Sequence, residues 1–193
     1  IIVGGTGLYF SALSEGLVDI PEIPKKIRLE ADSRISKDGL ESLIKEIDKE
    51  TARKIDLNNP RRVQRAWEVL ISTGRSLNSW HNEKSKPILN LNQCKTILLD
   101  GEISSFNKRI TKRFDQMMEQ GLIREGENNL ENWNETFPSS KAIGARELIA
   151  HLQNKITVDE LKEQILIETR QYAKRQRTWF RSKMKTCDKY IIN

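Results

Sequence analysis

Apolar residues recur along this chain with two different periods, and the change of period divides it. Ile1-Ile2-Val3 is a short continuous apolar run that meets Gly4-Gly5 at once, the pattern of a buried strand entering a turn. Leu8, Phe10, Ala12, Leu13 and Leu17 then follow a largely helical period, with Gly16 near its end. Pro21 and Pro24 interrupt the chain. From Lys25 to Lys86 the sequence is charge-rich and helical, without a strand signal. Leu40, Leu43, Ile44 and Ile47 predict one apolar helix face. Asn59-Pro60 predicts a helix start, with a cap and then proline at the first helical position. That helix carries Val63, Ala66, Trp67, Leu70 and Ile71 at i, i+3, i+4, i+7 and i+8, and Gly74 ends it.

Strand character returns at Thr96–Asp100, closed by Gly101. A helix is predicted from Ser104 to Glu119 with Phe106, Ile110, Phe114 and Met117 inward and Gly121 as its C-cap. Further helices are predicted from Ala142 to Gln153 and from Val158 to Lys185, with Tyr190-Ile191-Ile192 as a closing strand. Strands alternating with helices indicate an α/β core. Residues 1–24 and 87–193 are assigned to that core, and 25–86 to a helical subdomain inserted in it. A buried parallel strand needs neighbours on both sides, and no strand-rich sequence precedes Ile1. The chain is therefore expected to be the remainder of a longer protein.

Composition narrows the function classes. Of 193 residues 31% are charged and 37% hydrophobic, the latter below the usual ~45%, so much of the chain must be helical surface or polar channel. Runs such as Ile97-Leu98-Leu99 fall far short of the ~20 apolar residues that span a bilayer. Cys94 and Cys187 do not form a disulfide scaffold or a Cys-x-x-Cys motif, and His81 and His151 stand alone. Thiol and zinc chemistry are not expected, and a reducing, cytoplasmic location is.

Four constellations remain. Gly4-Gly5-Thr6-Gly7 lies between a strand and a helix, where small residues let a ligand approach the backbone and helix amides face an anion. A purely structural turn reads equally well, and Leu8 replaces the lysine of a Walker loop. Arg109 and Arg113, spaced i, i+4 on the helix after a strand, suit a diphosphate, or else a face salt-bridged to Asp115 and Glu119. Arg61, Arg62 and Arg65 oppose the dipole at a helix N-terminus, which calls for an external polyanion or for local partners such as Asp56 or Glu68. From Arg170 to Lys185 there are seven Lys/Arg and no acidic residue. Arg170, Lys174, Arg177 and Arg181 fall on one stripe, interleaved with Tyr172, Trp179 and Phe180. Such a stripe suits a nucleic-acid backbone with bases stacking on the aromatics; an amphipathic helix with core aromatics is the alternative.

Together these segments resemble the tRNA dimethylallyltransferases, also called tRNA isopentenyltransferases, over essentially the whole chain. The carriers are Gly4–Tyr9, Asn58–Val69 with Thr73-Gly74, Arg109-Ile110-x-x-Arg113-Phe114-x-x-Met117, Ala142-Ile143-Gly144-x-x-Glu147-Leu148, and Thr169–Gln176 followed by Thr178–Arg181. Ala145 stands where the family often has tyrosine.

The resemblance implies a P-loop-NTPase-like parallel-sheet core with a helical insertion. It implies transfer of a dimethylallyl group from its diphosphate to the exocyclic amine of the adenosine 3′ of the anticodon, with that base extruded into a channel. Thr6 takes the place of the hydroxyl near the reacting centre, and Arg113, with Arg109, that of the diphosphate clamp. Arg28, Arg61, Arg62, Arg65, Lys141, Arg146, Lys174, Arg175, Arg177 and Arg181 take the place of contacts to the tRNA anticodon arm. Magnesium and a monomeric state are also implied. The family's Walker-type loop and the Asp-Ser segment bearing its general base are absent from these residues and expected upstream, so the 193 residues alone are expected not to turn over. Two other readings stand beside this one. The first is a transferase acting on a free adenine nucleotide, against which the long basic stripe argues. The second is a non-catalytic tRNA-binding fragment.

Overall fold

The computed structural model describes residues 1–83 and 85–192. The chain forms two compact units, one of residues 8–90 and one of residues 1–7 with 91–193.

The first unit is helical: α1 (Gly7–Glu15), α2 (Lys25–Asp38), α3 (Glu41–Ile44), α4 (Lys49–Lys54), α5 (Pro60–Thr73) and α6 (Leu77–His81). Asn59 caps α5 by accepting from the Arg62 amide at 3.3 Å, with Pro60 in the first turn, as the sequence predicts. The buried face of α5 differs from the expected stripe. Val63, Ala66, Trp67 and Val69 are buried, whereas Ile71 is exposed, because α2, α3 and α6 all pack on α5 and shift its inner face. The 40–47 stretch is not one helix face but the short α3 and its flanks, set apart from α2 by Gly39. Leu43 and Ile47 nevertheless enter the core, and Leu40 and Ile44 line it. Residues 8–24, assigned by sequence to the α/β core, fall in this unit instead. The Leu13 carbonyl accepts from the amides of Ile88 and Leu89, and Ser85 Oγ donates to the Glu15 carbonyl.

One polar network ties this core together. Trp67, only 1% exposed, donates its indole N–H to Glu46 Oε2 at 2.7 Å. Arg34 on α2 grips the same carboxylate with two nitrogens, at 2.7 and 3.1 Å, and donates to the Ser42 carbonyl at 2.7 Å. Its guanidinium lies 5.2 Å from the Trp67 ring centroid. The Arg34 hydrogen bonds, reinforced by the Trp67 indole, hold the Glu46 carboxyl below the ordinary glutamate range against the opposing effect of burial.

The second unit holds β1 (Ile97–Gly101) and β2 (Asp188–Ile192), joined by the long crossover α7 (Ile103–Glu119), α8 (Leu122–Leu130), α9 (Ala145–Leu152) and α10 (Val158–Lys183). The strands pair parallel, from Ile97 opposite Asp188 to Gly101 opposite Ile192. Ile1–Val3, expected as the tail of a strand, are exposed and form no ladder among the described residues. Among the described residues no strand pairs with them, and backbone without a ladder partner is not a strand. Phe114 of α7, Leu148 of α9 and Leu161, Ile165 and Leu166 of α10 make this unit's core. A capping box starts α10, Thr157 accepting from the Glu160 amide while the Glu160 carboxylate accepts from the Thr157 amide. No helix among the described residues is long and apolar enough to cross a membrane.

Two outcomes are expected. Replacing the fully buried Trp67 by Ala removes a large apolar body and leaves a cavity, at a cost of about 3–5 kcal/mol. Denaturant unfolding followed by circular dichroism measures it, and a loss below about 1 kcal/mol would mean the site collapses around the gap. The second concerns acid. The depressed Glu46 pKa stabilises the folded chain above the ordinary glutamate value, about 4.3. That contribution is lost as pH falls through the lower folded value. In Glu46→Gln the melting temperature should therefore decline less between neutral pH and pH 3 than in the wild type.

Candidate functional site

Several chemistry-bearing residues of the sheet-containing unit lie along α10. This helix is anchored by its N-terminal half, where Leu161, Ile165 and Leu166 enter the core. Its C-terminal half projects over two features predicted from sequence, the glycine turn and the end of β1.

At the turn, Gln176 Nε2 donates to the Gly5 carbonyl at 3.0 Å. A Cβ on Gly5 would lie 2.9 Å from Gln176 Cδ and closer still to its amide nitrogen. The Trp179 indole covers Gly7, where a Cβ would stand 2.2–2.4 Å from three ring carbons. Neither glycine has positive φ. Glycine is needed at these two positions because another helix approaches the backbone. Thr6 lies between the two contacts with its side chain exposed.

At the strand end, Asp100 accepts from Arg181 at 3.1 and 3.2 Å, and its Oδ1 also accepts from the Gly101 amide at 2.9 Å. The Asp100 side chain is 13% exposed. The Arg181 hydrogen bonds, aided by the Gly101 amide, hold its carboxyl below the ordinary aspartate range despite burial. Parallel sheets place ligands beyond the carboxyl ends of their strands, and this pair marks that end.

The cationic stripe is not uniform. Arg170 is exposed and lines an open groove of about 470 Å³ with Asn107, Lys108, Thr111, Lys112 and Asp115 of α7. Lys174 and Arg175 are exposed and line a second groove with Gln171, Thr178, Trp179 and Ser182. Arg175 lies 5.7 Å from the Tyr172 ring centroid. Arg177 departs from the stripe. It is half-buried, with its guanidinium 5.6 Å from the Phe106 ring centroid, and its Nη1 is buried without a hydrogen-bond partner among the described residues. Arg181 is exposed but already paired with Asp100. Trp179 and Phe180 meet edge to face at 5.0 Å.

The remaining sequence-predicted residues are distributed as follows. Arg109 and Arg113 are both exposed on α7 and line neither groove. Asp115, offered as a local partner for them, pairs with Lys162 at 2.7 Å. Lys141 and Arg146 are exposed at either side of Gly144, ahead of and within α9. In the helical unit, Arg61 and Arg62 are exposed and Arg65 is half-buried. Their suggested partners are engaged elsewhere: Glu68 accepts from Gln64 at 3.0 Å and lies 3.9 Å from Arg28, and Asp56 accepts from the Asn58 amide. Sequence reasoning missed Gln176, Asp100 and the groove position of Arg170. Arg170 carried a signal as the first cation of the stripe and Gln176 as the end of the Thr169–Gln176 segment, whereas Asp100 was read only as a strand residue.

Magnesium, implied by the resemblance, finds no ligand set in these two units. Among the described residues no three His, Cys, Asp or Glu side chains converge to hold a metal ion.

Comparison with known proteins supplies the context for this arrangement. The family model for IPP transferase matches residues 1–183. A tRNA dimethylallyltransferase of Cereibacter sphaeroides strain KD131 is 49% identical over 185 residues, covering 96% of this chain and 59% of that protein. The tRNA dimethylallyltransferase of Roseobacter denitrificans is 47% identical over 191 residues, covering 99% of this chain and 67% of that protein. Among solved structures, the full-length tRNA isopentenylpyrophosphate transferase of Bacillus halodurans superposes with a TM-score of 0.55 at 32% identity, covering 96% of this chain and 57% of that one. A eukaryotic dimethylallyltransferase acting on tRNA superposes with a TM-score of 0.70 at 26% identity, covering 98% and 50%. The α/β fold matches these transferases, whose fold is P-loop-NTPase-like. The chain spans about three fifths of the length of the curated relatives it matches. With matching segments running from the glycine turn through the basic helix, the chain belongs to the IPP transferase family.

Proposed function

We propose that the protein to which these residues belong transfers a dimethylallyl group from dimethylallyl diphosphate to the exocyclic amine of the adenosine 3′ of the anticodon in tRNA. The observation that carries this reading is the 49% identity, over 96% of this chain, to proteins named tRNA dimethylallyltransferase. The chemistry of the exposed side chains supports it. Arg61, Arg62, Lys141, Arg146, Lys174 and Arg175 are all exposed, and none has a carboxylate partner among the described residues. Such cations suit the phosphates of an anticodon arm, whose neutralisation releases counterions. Arg28 is exposed beside the buried Glu68, and Arg65 is half-buried one turn into α5; both are assigned to the same RNA-facing set.

Arg113 is assigned to the diphosphate, with Arg109 one helical turn before it on α7. Charge builds on the departing oxygen as its bond to the prenyl carbon breaks, and a guanidinium held there favours the transition state over the ground state. Thr6 is assigned to the reacting centre as a hydroxyl that orients the attacking amine or the departing diphosphate. A cytoplasmic, monomeric protein is the accompanying proposal.

Two measurements on the complete protein test this. Arg113→Ala should lower kcat by about 10²–10³-fold, the range for removing one preorganised charge partner, while tRNA affinity changes little. Steady-state kinetics with each substrate varied in turn separate the two, and an effect confined to tRNA would displace Arg113 from the diphosphate. The salt dependence of tRNA binding is the second. Lys174→Ala should reduce the log–log slope by roughly 0.7–0.9, one phosphate contact. Arg181→Ala should reduce it less, because Asp100 already neutralises that cation. Equal, unchanged slopes in both variants would show a solvated face instead of an RNA contact.

A further inference from the structure

We propose that Gln176 and Trp179 are positioning residues that fix the Gly4–Gly7 turn, and with it the Thr6 hydroxyl, so that α10 sets the geometry of the reacting centre. The inference rests on the transferase reading above and on Thr6 as a group at that centre.

The argument begins with the two residues flanking Thr6. The carbonyl before it, on Gly5, accepts from Gln176 Nε2 at 3.0 Å. The Cα after it, on Gly7, lies against the Trp179 indole so closely that no Cβ fits, an added Cβ standing 2.2 Å from the nearest ring carbon. Because neither glycine has positive φ, the backbone would accept alanine at both positions were α10 absent. The contacts are complementary in kind. A hydrogen bond fixes the direction of the Gly5 carbonyl, and the flat indole bars the Gly7 backbone from moving toward α10. Both side chains come from one rigid element, since Gln176 and Trp179 are three residues apart and project from one side of the helix. Their own positions are set from either end. Leu161, Ile165 and Leu166 bury the start of α10, and Arg181 clasps Asp100 at the end of β1. Phe180 meets the Trp179 ring edge to face at 5.0 Å.

This arrangement gives the basic helix a second role. Lys174 and Arg175 precede Gln176 directly, and Lys174, Arg175 and Trp179 line the same groove. A displacement of α10 would shift the Thr6 backbone with it, and a misplacement of about 1 Å can cost roughly 10²-fold in rate.

The test uses the complete protein with tRNA and dimethylallyl diphosphate. Gln176→Met keeps length and charge but removes the donor. It should lower kcat about 10–100-fold, with tRNA affinity within about twofold and KM for the diphosphate little changed. Gly7→Ala should lower kcat at least as much. Combining it with Trp179→Leu, which clears the space, should recover about tenfold relative to Gly7→Ala alone. Trp179→Leu by itself should fall below wild type. Such a rescue is specific to this contact, because two independent structural lesions would add. Should Gly7→Ala fail to fold, Gln176→Met, which adds no bulk to the turn, carries the test. Unchanged kcat in Gln176→Met, or a loss confined to tRNA affinity, would overturn the proposal and leave α10 as an RNA contact only. A wild-type protein that transfers nothing to tRNA would instead overturn the transferase reading, and this inference with it.

Discussion

The C-terminal half of α10 can act on the glycine turn only because its N-terminal half cannot move. Leu161, Ile165 and Leu166 are locked into a core with Phe114 and Leu148, and a continuous helix transmits that anchorage along its axis. At 1.5 Å per residue, Trp179 stands roughly 20 Å from Ile165 along the helix axis. Arg181 on Asp100 supplies the second point of attachment. A rod held at both ends carries the side chains between them to fixed points in space. Gln176, Trp179 and the cations beside them inherit that precision.

The same constraint explains why the basic stripe is divided. Spacing alone puts Arg170, Lys174, Arg177 and Arg181 on one face, and the seven cations between residues 170 and 185 look interchangeable. In the folded chain they differ in kind. Lys174 and Arg175 face solvent, Arg177 turns inward over Phe106, and Arg181 is spent on Asp100. Arg181 is thus first a strut of the site. The buried Nη1 of Arg177, unpaired among the described residues, is the costliest of these arrangements, since an unmatched buried donor loses its hydration without a replacement.

The helical unit has a separate logic. Its core is closed by Trp67, and the one polar atom of that indole is satisfied by Glu46, which Arg34 holds in turn. Two side chains from different helices, Arg34 and Trp67, converge on one carboxylate. The pair is partly exposed, so its worth lies in orientation more than in net stability. It fixes α2 against α5, and through them the exposed arginines Arg28, Arg61 and Arg62.

Local signals in the sequence were sufficient for the longer elements. Asn59-Pro60 and Gly74 bound α5, the 3.6-residue period from Ser104 to Glu119 marks α7, and the run of cations from Arg170 marks the C-terminal half of α10. Each depends on residues within a few turns of one another, so each is visible along the chain. The identity of the family was legible for the same reason, its motifs being short and contiguous. What the tertiary structure decided is how these pieces meet. Gly5 and Gly7 read equally well as a structural turn or as a backbone left open for a ligand, and the fold shows Gln176 and Trp179, about 170 residues away, packed against them. Asp100 reads as the end of a strand, and its partner Arg181 is 81 residues further on. The inner face of α5 turned toward Val69 and away from Ile71 because three helices, not one, cover it. Periodicity specifies that a helix has an apolar side; only the neighbours that arrive in three dimensions determine which residues it shields.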